Sequence, residues 1–261
     1  MEKVKSNDGT EIAYDKRGAG PAVILVDGAL CFRSFGPMPH LAELLSPHFT
    51  VYNYDRRGRG DSGDTQPYAV AREVEDIEAL IDEAGGSAFI FGTSSGGALA
   101  LEAAIQLGSK IEKLAMYEPP YNSDEAILPA WKEYRQQLAE LVAAGRRGDA
   151  AALFMKSVGT PDEQVNGMRQ APIWPIFEAV APTLAYDAVV LGEERSVPTK
   201  RAAKVTVPTL VMNGTTIPFM VDTAQALANA IPHAEHRTLE GQSHDVNLEV
   251  LAPVLVEFFN S

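Results

Sequence analysis

The pentapeptide Gly92-Thr93-Ser94-Ser95-Gly96 restricts the fold of this chain more than any other stretch of its sequence. It follows a short apolar run at residues 88–91 and precedes a run of small residues at 97–104 that suits a helix. A G-x-S-x-G sequence between a strand and a helix is typical of a sharp turn that lifts its serine above the edge of a sheet. By itself, the pattern also fits a glycine-rich turn without chemistry, so the rest of the chain must decide.

Apolar runs alternate with helical patterns along most of the sequence. Strands are predicted at residues 12–15, 22–26, 49–54, 88–91, 113–117, 209–212 and 235–239. Helices are predicted near 41–45, at 73–84, after the pentapeptide and at 248–259. The helix at 73–84 has apolar residues at the spacing of one helical face, namely Val74, Ile77, Leu80 and Ile81. This alternation predicts an α/β fold with a mostly parallel sheet that helices cover on both faces.

Residues 122–200 interrupt the alternation, because they suggest several helices in succession. We therefore expect a core made of residues 1–121 and 201–261, with a helical cap inserted at 122–200 over the carboxyl edge of the sheet. As a set, the apolar side chains of this segment predict a substrate pocket, whereas packing explains each one taken alone. They are Trp131, Phe154, Met155, Met168, Trp174, Phe177 and Tyr186.

Composition narrows the classes of partner. The 261 residues carry a formal net charge of −13, and an acidic surface repels phosphate groups. We therefore expect a small-molecule substrate rather than nucleic acid or a membrane, and the oligomeric state is left open, a homodimer included. The single cysteine, Cys31, excludes an internal disulfide and, together with an N-terminus that lacks an apolar leader, favours the cytoplasm. No cluster of His, Cys and Asp has ligand spacing, so neither a metal nor another cofactor is expected.

Three motifs in order make the chain resemble the α/β-hydrolase superfamily over nearly its whole length. The first is the turn Asp55-Arg56-Arg57-Gly58-Arg59-Gly60-Asp61-Ser62, which matches D-x-R-G-x-G-x-S. The second is the pentapeptide at 92–96, and the third is Gly241-Gln242-Ser243-His244, just past the last predicted strand. The resemblance implies an α/β-hydrolase fold in which Ser94 is the nucleophile and His244 is its base.

The carboxylate that should orient His244 is not at the usual position of the superfamily, which is occupied here by Ile217. One replacement is Asp222, predicted in the first turn of the next helix, where capping is enough to explain it. The other is Glu118, at the end of the preceding strand. Neighbouring strands are about 4.8 Å apart, so an acid one strand over can still reach the imidazole. Glu118 is the predicted acid, and Pro119 is expected to hold it in extended backbone.

This placement of the acid resembles the zearalenone lactonase-like α/β hydrolases. They share a G-x-S-S-G-G sequence, here residues 92–97, and a D-G pair, here Asp27-Gly28. The oxyanion hole is then predicted to use the amide of Gly28 or Ala29 together with the amide of Ser95. Asp27 is expected to fix this loop through hydrogen bonds, with a direct catalytic part as the less favoured alternative. Cys31 is expected to be a small buried residue rather than a nucleophile.

The leading hypothesis is a cofactor-free serine hydrolase that cleaves an ester or a lactone of a moderately hydrophobic molecule through an acyl-enzyme. The same triad also serves C–C bond hydrolysis and perhydrolysis, which the sequence does not separate. A ligand-binding protein with little turnover is a third alternative, motivated by Ile217 and by the Asp27-Gly28 pair. An epoxide hydrolase or a dehalogenase is disfavoured, because these need an aspartate at position 94.

Overall fold

One mixed sheet forms the centre of the molecule, and the computed structural model describes all residues from 1 to 261. Its strands are β1 (Glu2–Lys5), β2 (Glu11–Arg17), β3 (Ala22–Val26), β4 (Thr50–Tyr54), β5 (Ala88–Thr93), β6 (Ile111–Tyr117), β7 (Thr209–Asn213) and β8 (Ala234–Thr238). Their spatial order is β1-β2-β4-β3-β5-β6-β7-β8. Strands β3 to β8 are parallel, while β2 pairs antiparallel with both β1 and β4. The predicted α/β class is confirmed.

The first strand, Glu2–Lys5, was not predicted from the sequence. Three of its four side chains are charged, so it has no apolar run that would distinguish it from a loop. It forms the outer edge of the sheet, where it pairs only with β2. Charged residues at such an edge protect it against pairing with another chain.

Helices cover both faces of the sheet. Those of the core are α1 (Met38–Leu45), α2 (Val70–Glu83), α3 (Ser95–Leu107), α10 (Pro218–Ala230) and α11 (Leu248–Asn260). Helices α1 and α11 pack in one apolar cluster on one face, and α2, α3 and α10 belong to a second cluster on the other face. Strands β3 and β7 are therefore buried on both faces, which explains the continuous apolar runs at residues 22–26 and 210–212.

The segment between β6 and β7 is helical, and we call residues 122–200 the inserted segment. It carries α4 (Leu128–Ala143), α5 (Arg147–Ser157), α6 (Asp162–Arg169), α7 (Trp174–Val180), α8 (Leu184–Val190) and the start of α9 (Thr199–Ala202). Helix α8 contacts both α2 and α3 of the core. Buried side chains of α4, α5 and α7 join the same apolar cluster as α3. The inserted segment and this face of the sheet thus share one continuous apolar interior.

No helix on its own combines the length and the apolar character needed to cross a bilayer. The stretches Asp162–Arg169 and Trp174–Val190 meet that test only when taken together, and a bend of 98° separates them.

Candidate active site

The turn after β5 holds Ser94 in a backbone conformation that few residues other than glycine adopt. Its φ is 54° and its ψ is −132°, and α3 begins at the next residue. The Ser94 amide donates to the Tyr117 carbonyl at 2.9 Å, which ties the turn to β6. A Cβ atom at Gly96 would clash with the carbonyl oxygens of Val26 and Asp27. Glycine is therefore required where α3 passes against the end of β3.

His244 lies in the loop between β8 and α11, beside the serine. Its Nε2 is 3.1 Å from Ser94 Oγ, within hydrogen-bonding distance. About a third of the imidazole (34%) is exposed, so solvent reaches this side of the pair. The structure thus brings together the two residues that the sequence predicted as nucleophile and base.

Glu118, at the end of β6, completes a chain of contacts with the histidine. Its Oε2 lies 2.7 Å from His244 Nδ1, and its Oε1 accepts the Gly214 amide at 2.8 Å. The carboxyl group is fully buried, with the residue only 1% exposed. A glutamate carboxylate serves as the hydrogen-bond acceptor opposite Nδ1, so we assign the imidazole proton to Nδ1. Nε2 is then left with the lone pair that a Ser94 hydroxyl proton needs.

The prediction that Pro119 holds Glu118 in extended backbone is wrong. The φ of Glu118 is +45°, in the left-handed region. Its amide continues the sheet by donating to the Met212 carbonyl at 2.9 Å, and the chain then turns. The turn brings the carboxylate to the Gly214 amide at the end of β7, and two hydrogen bonds to its oxygens offset a backbone cost of about 1–2 kcal/mol.

The residues that competed with Glu118 do not reach the histidine. Ile217 precedes α10 without a side-chain hydrogen bond. Asp222 is exposed and lies in the second turn of α10, not in the first turn as predicted, so it does not cap the helix. Another histidine, His236, has its Nε2 2.6 Å from the side-chain oxygen of Asn213 and makes no hydrogen bond to Ser94, His244 or Glu118.

The loop after β3, residues 27–31, passes directly over the nucleophile. A Cβ atom at Gly28 would lie 3.0 Å from Ser94 Cβ and 3.6 Å from Ser94 Oγ. The amide of Gly28 donates to its neighbour's carboxylate, Asp27 Oδ1, at 2.8 Å, so in this structure it is not free for a substrate. The amides of Ala29 and Ser95 donate to no protein atom. Of the three amides predicted for the oxyanion hole, these two are the ones without a protein acceptor, and that of Ser95 lies at the N-terminal, positive end of α3.

Asp27 is buried beside this loop and only 2% exposed. Its Oδ2 has no hydrogen-bond partner. Burial raises the pKa of the Asp27 carboxyl to about 7, although the Gly28 amide and the charges of Arg59 and Arg56 act in the opposite direction. Burial, and next the nearby Asp27 carboxylate, raises the pKa of the Cys31 thiol far above its usual range. Cys31 accordingly has no thiolate character at neutral pH.

The predicted pocket residues mainly pack within the inserted segment. The indole N–H of Trp131 donates to the Gly192 carbonyl at 3.0 Å, and that of Trp174 donates to Glu178 at 3.0 Å. Four other predicted pocket residues pack in or against the same apolar cluster, namely Phe154, Met155, Met168 and Phe177. Phe177 also meets the ring of Phe35, a few residues after the 27–31 loop. These positions are compatible with a pocket wall, but the contacts themselves are packing contacts.

Tyr186 differs from the other predicted pocket residues. Its ring stacks on Tyr68 with centroids 3.8 Å apart, and its hydroxyl donates to Asp64 at 2.7 Å. It therefore joins the inserted segment to the loop that precedes α2. The aromatic residue alone could not reveal this, because Tyr68 and Asp64 lie more than a hundred positions away in the sequence.

The buried arginines of the turn at 55–62 were not recognised as functional residues from the sequence. Arg56, Arg57 and Arg59 are at most 2% exposed. The D-x-R-G-x-G-x-S pattern marked the turn, but it did not indicate which groups the guanidinium groups bind. One of those groups, Asp187, lies in α8 of the inserted segment, where no local pattern distinguishes it.

Comparison with known proteins agrees with the fold. The family model described as "Alpha/beta hydrolase family" matches residues 18–256. An uncharacterised hydrolase of Bacillus subtilis, YraK, is 30% identical over 115 residues, which span 42% of this chain and 42% of that protein. The crystal structure of an alpha/beta hydrolase from Sphaerobacter thermophilus has a TM-score of 0.88 and 53% identity, with 99% of this chain and 100% of that chain covered.

A more distant structure shares the fold. The enol-lactonase from Burkholderia xenovorans has a TM-score of 0.69 and 22% identity, with both chains covered completely (100%). At this level of identity, the likeness concerns architecture alone. The family match covers most of the chain and includes Ser94, Glu118 and His244 within its bounds. The chain therefore belongs to the alpha/beta hydrolase family.

Proposed function

We propose that this protein is a cofactor-free serine hydrolase that cleaves an ester or a lactone of a moderately hydrophobic small molecule. The observation that carries the proposal is the unbroken series of contacts from Ser94 Oγ to His244 and from His244 to Glu118, at 3.1 and 2.7 Å. The amides of Ala29 and Ser95 have no protein acceptor, and we assign to them the second requirement of acyl transfer, the stabilisation of the oxyanion.

Acylation begins when Ser94 Oγ attacks the substrate carbonyl carbon and its proton passes to His244 Nε2. The carbonyl oxygen becomes an oxyanion, which accepts hydrogen bonds from the amides of Ala29 and Ser95. Glu118 keeps the Nδ1 proton in place and stabilises the imidazolium that forms. The bond to the leaving oxygen then breaks as His244 returns the proton to that oxygen, and the acyl-enzyme remains.

Deacylation repeats these steps with water as the nucleophile. Water gives a proton to His244 and attacks the acyl carbon, and Ser94 Oγ leaves and recovers the proton. An ester yields an acid and an alcohol. A lactone yields one hydroxy acid, because its leaving oxygen stays attached to the acyl group.

A lactone is the substrate class that the acid's position favours. The residues shared with the zearalenone lactonase-like branch are the Asp27-Gly28 pair, the G-x-S-S-G-G sequence and Glu118 after β6. We further propose that the inserted segment, residues 122–200, acts as the lid that selects the substrate, since α8 lies against α2 and α3 of the core.

The test of the nucleophile is the substitution Ser94→Ala, assayed with a chromogenic short-chain ester. Turnover should fall to the background rate, because no hydroxyl remains to be acylated. Ser157→Ala is a matched control, since that serine is exposed and bonds only to a carbonyl of its own helix, α5. Equal activity of Ser94→Ala and the wild type would refute the proposal.

A fluorophosphonate probe distinguishes a hydrolase from a ligand-binding protein with the same fold. An activated Ser94 becomes labelled within minutes, and the label maps to a peptide that contains residues 92–97. An unactivated serine reacts no faster than Ser157. Parallel measurement of acid release from an ester and from a lactone, at equal concentrations, then decides between the two substrate classes.

A further inference from the structure

Three arginine side chains of one turn lie buried, and each needs a compensating charge. They belong to the turn at 55–62, and their side chains are 0–1% exposed. Removing a charged group from water costs several kcal/mol unless a partner is close. Two of the three arginines bind a carboxylate of the inserted segment, and the only carboxylates that the third binds belong to the core.

Asp187 in α8 compensates two of these arginines. Its Oδ1 lies 2.7 Å from Arg56 Nη1, and its two oxygens lie 3.0 and 2.9 Å from Arg59 Nη2. Burial alone would raise the pKa of the Asp187 carboxyl, but the charges of Arg59 and Arg56 bring this pKa below its ordinary value. Asp187 is therefore an anion at neutral pH, and it is only 5% exposed.

The same two guanidinium groups bind the backbone of the 27–31 loop. Arg59 Nη1 donates to the Gly28 carbonyl at 2.5 Å and to the Cys31 carbonyl at 3.0 Å. Arg56 Nη1 donates to the Asp27 carbonyl at 3.2 Å. Three carbonyl groups of one short loop are thus held by the two cations that contact Asp187, of which Arg56 is also paired with Glu73.

One of these contacts acts directly on the amide of Ala29. The Gly28 carbonyl and the Ala29 N–H belong to the same planar peptide unit, in which they point in opposite directions. A hydrogen bond from Arg59 to that carbonyl therefore fixes the direction in which the Ala29 N–H points. It also polarises the peptide unit and makes this N–H a stronger donor.

We propose that Asp187 of the inserted segment is a positioning residue for the oxyanion hole, acting on the Ala29 amide through Arg59, while Arg56 holds the preceding carbonyl of the same loop, that of Asp27. The inference rests on the proposed function, because it assigns the Ala29 amide to a developing oxyanion. It adds that the inserted segment takes part in the chemistry of the core. Asp187 touches neither the nucleophile nor the substrate carbonyl in this role.

The third arginine offers a matched control. Arg57 donates to Asp76 at 2.7 and 2.8 Å and to Asp8 at 2.9 Å, and both of these carboxylates lie outside the inserted segment. Arg57 makes no hydrogen bond to the 27–31 loop. The Arg57–Asp76 pair is as deeply buried as the Arg59–Asp187 pair. The substitutions Asp187→Asn and Asp76→Asn therefore disturb comparable ion pairs on the same turn.

The test compares kcat and KM of the two variants on the substrate that Ser94 turns over. For Asp187→Asn, kcat should fall by about 10–100-fold with KM within about threefold, because an oxyanion exists only in the transition state. For Asp76→Asn, kcat should stay within about threefold of the wild type. Equal losses of kcat in the two variants, or no loss in Asp187→Asn, would overturn the inference.

A second variant guards against simple misfolding. Asp187→Leu combined with Arg59→Met removes both charges of one pair together, which buried ion pairs often tolerate without loss of stability. A folded double variant should retain the defect in kcat, because the Gly28 carbonyl has lost its donor. A folded double variant with wild-type kcat would contradict the role of Asp187.

Amide hydrogen exchange separates this inference from the proposed function. Asp187→Asn should speed exchange across residues 28–33 by at least about tenfold, whereas Asp76→Asn should leave those amides unchanged. If Ser94→Ala keeps full activity, the proposed function fails, and with it the oxyanion role. If Ser94→Ala is inactive but exchange is the same in both aspartate variants, the positioning role of Asp187 alone fails.

Discussion

Two buried carboxylates stand at strand ends on the same edge of the sheet, and the protein treats them differently. Glu118 follows β6, and each of its oxygens has a partner, the Gly214 amide and His244 Nδ1. Asp27 follows β3, and only its Oδ1 has a partner, the Gly28 amide. The two residues are equally hidden from solvent, at 1% and 2% exposure. Burial therefore does not distinguish them, and the supply of donors does.

The difference bears on the charge of Asp27. A buried carboxylate is costly unless donors face both oxygens. The cations nearest to Asp27 already have other partners, since Arg56 pairs with Glu73 and Asp187, and Arg59 pairs with Asp187. Asp27 therefore has a raised pKa, near 7, and holds its loop mainly through an ordinary hydrogen bond. A position at the strand edge gives a carboxylate a catalytic role only when the partners are built around it.

The largest effect is expected from substitution of Glu118, the acid whose two oxygens both have hydrogen-bond partners. Glu118→Ala should lower kcat by about 10³–10⁴-fold, because the imidazole loses both its correct tautomer and the charge that stabilises its protonated form. Asp222→Ala, at an exposed position of α10, should leave kcat within about twofold. Steady-state kinetics on a chromogenic ester checks both. A silent Glu118→Ala together with a damaged Asp222→Ala would reverse the assignment of the acid.

Gly214→Ala should disturb the site by displacing the residues that surround Glu118. A Cβ atom there would clash with the Gln242 carbonyl and would lie 2.8 Å from Tyr117 Oη, so the loop that carries His244 must move away. We expect a loss of about 10–100-fold in kcat and of about 2 kcal/mol in the free energy of unfolding. Gly167→Ala is the control, because a Cβ atom there meets open space. Unchanged kcat in Gly214→Ala would show that the contact of Glu118 with His244 tolerates a shifted loop.

Asp27→Asn tests the acid that has a hydrogen-bond partner at only one oxygen. The quantity compared is the pH dependence of the free energy of unfolding. The carboxyl of folded Asp27 has a pKa of about 7, above the ordinary 3.8, so the native state binds the proton more tightly than the unfolded state. Its contribution is therefore present at low pH and is lost as pH rises through about 7. The wild type should lose about 2 kcal/mol relative to Asp27→Asn between pH 5 and pH 8. Urea unfolding at three pH values measures the difference, and parallel curves would contradict it.

Tyr117→Phe should produce the smallest change. The Tyr117 hydroxyl donates to the Ser243 carbonyl at 2.5 Å, next to His244, so it supports the same loop from β6. Loss of one hydrogen bond should cost about 1 kcal/mol of unfolding free energy and less than about fivefold in kcat. Tyr54→Phe is the control, because the buried Tyr54 hydroxyl has no partner to lose. A Tyr54→Phe variant less stable than Tyr117→Phe would show that the loop does not depend on this bond.

The sequence predicted those parts of the site that local pattern and strand order determine. The turn at Ser94, the histidine after β8 and the acid after β6 all follow from short motifs placed on an α/β sheet. The backbone of Glu118 was not predictable from Pro119, because its conformation is set by the Gly214 amide and by His244, which come from elsewhere in the chain. The Gly28 amide was assigned to the oxyanion hole, but its own neighbour's carboxylate occupies it.

Asp187 shows the same limit on a longer scale. It binds Arg56 across 131 positions of sequence, and its place in α8 carries no motif. Only the packing of α8 against α2 and α3 reveals it. A residue such as Asp187, which acts on a backbone segment of the site through another side chain, leaves no recognisable pattern in a single sequence.

At Ser94, the left-handed backbone conformation makes the requirement for a hydroxyl conflict with the stability of the fold. At a φ of 54°, glycine carries no steric penalty, whereas every residue with a side chain does. Ser94→Gly should therefore unfold at a higher temperature than Ser94→Ala, although neither retains a hydroxyl. Directed evolution for thermal stability alone would therefore favour glycine at this position and lose the reactive hydroxyl. A selection for a more thermostable variant of this protein must also select for turnover.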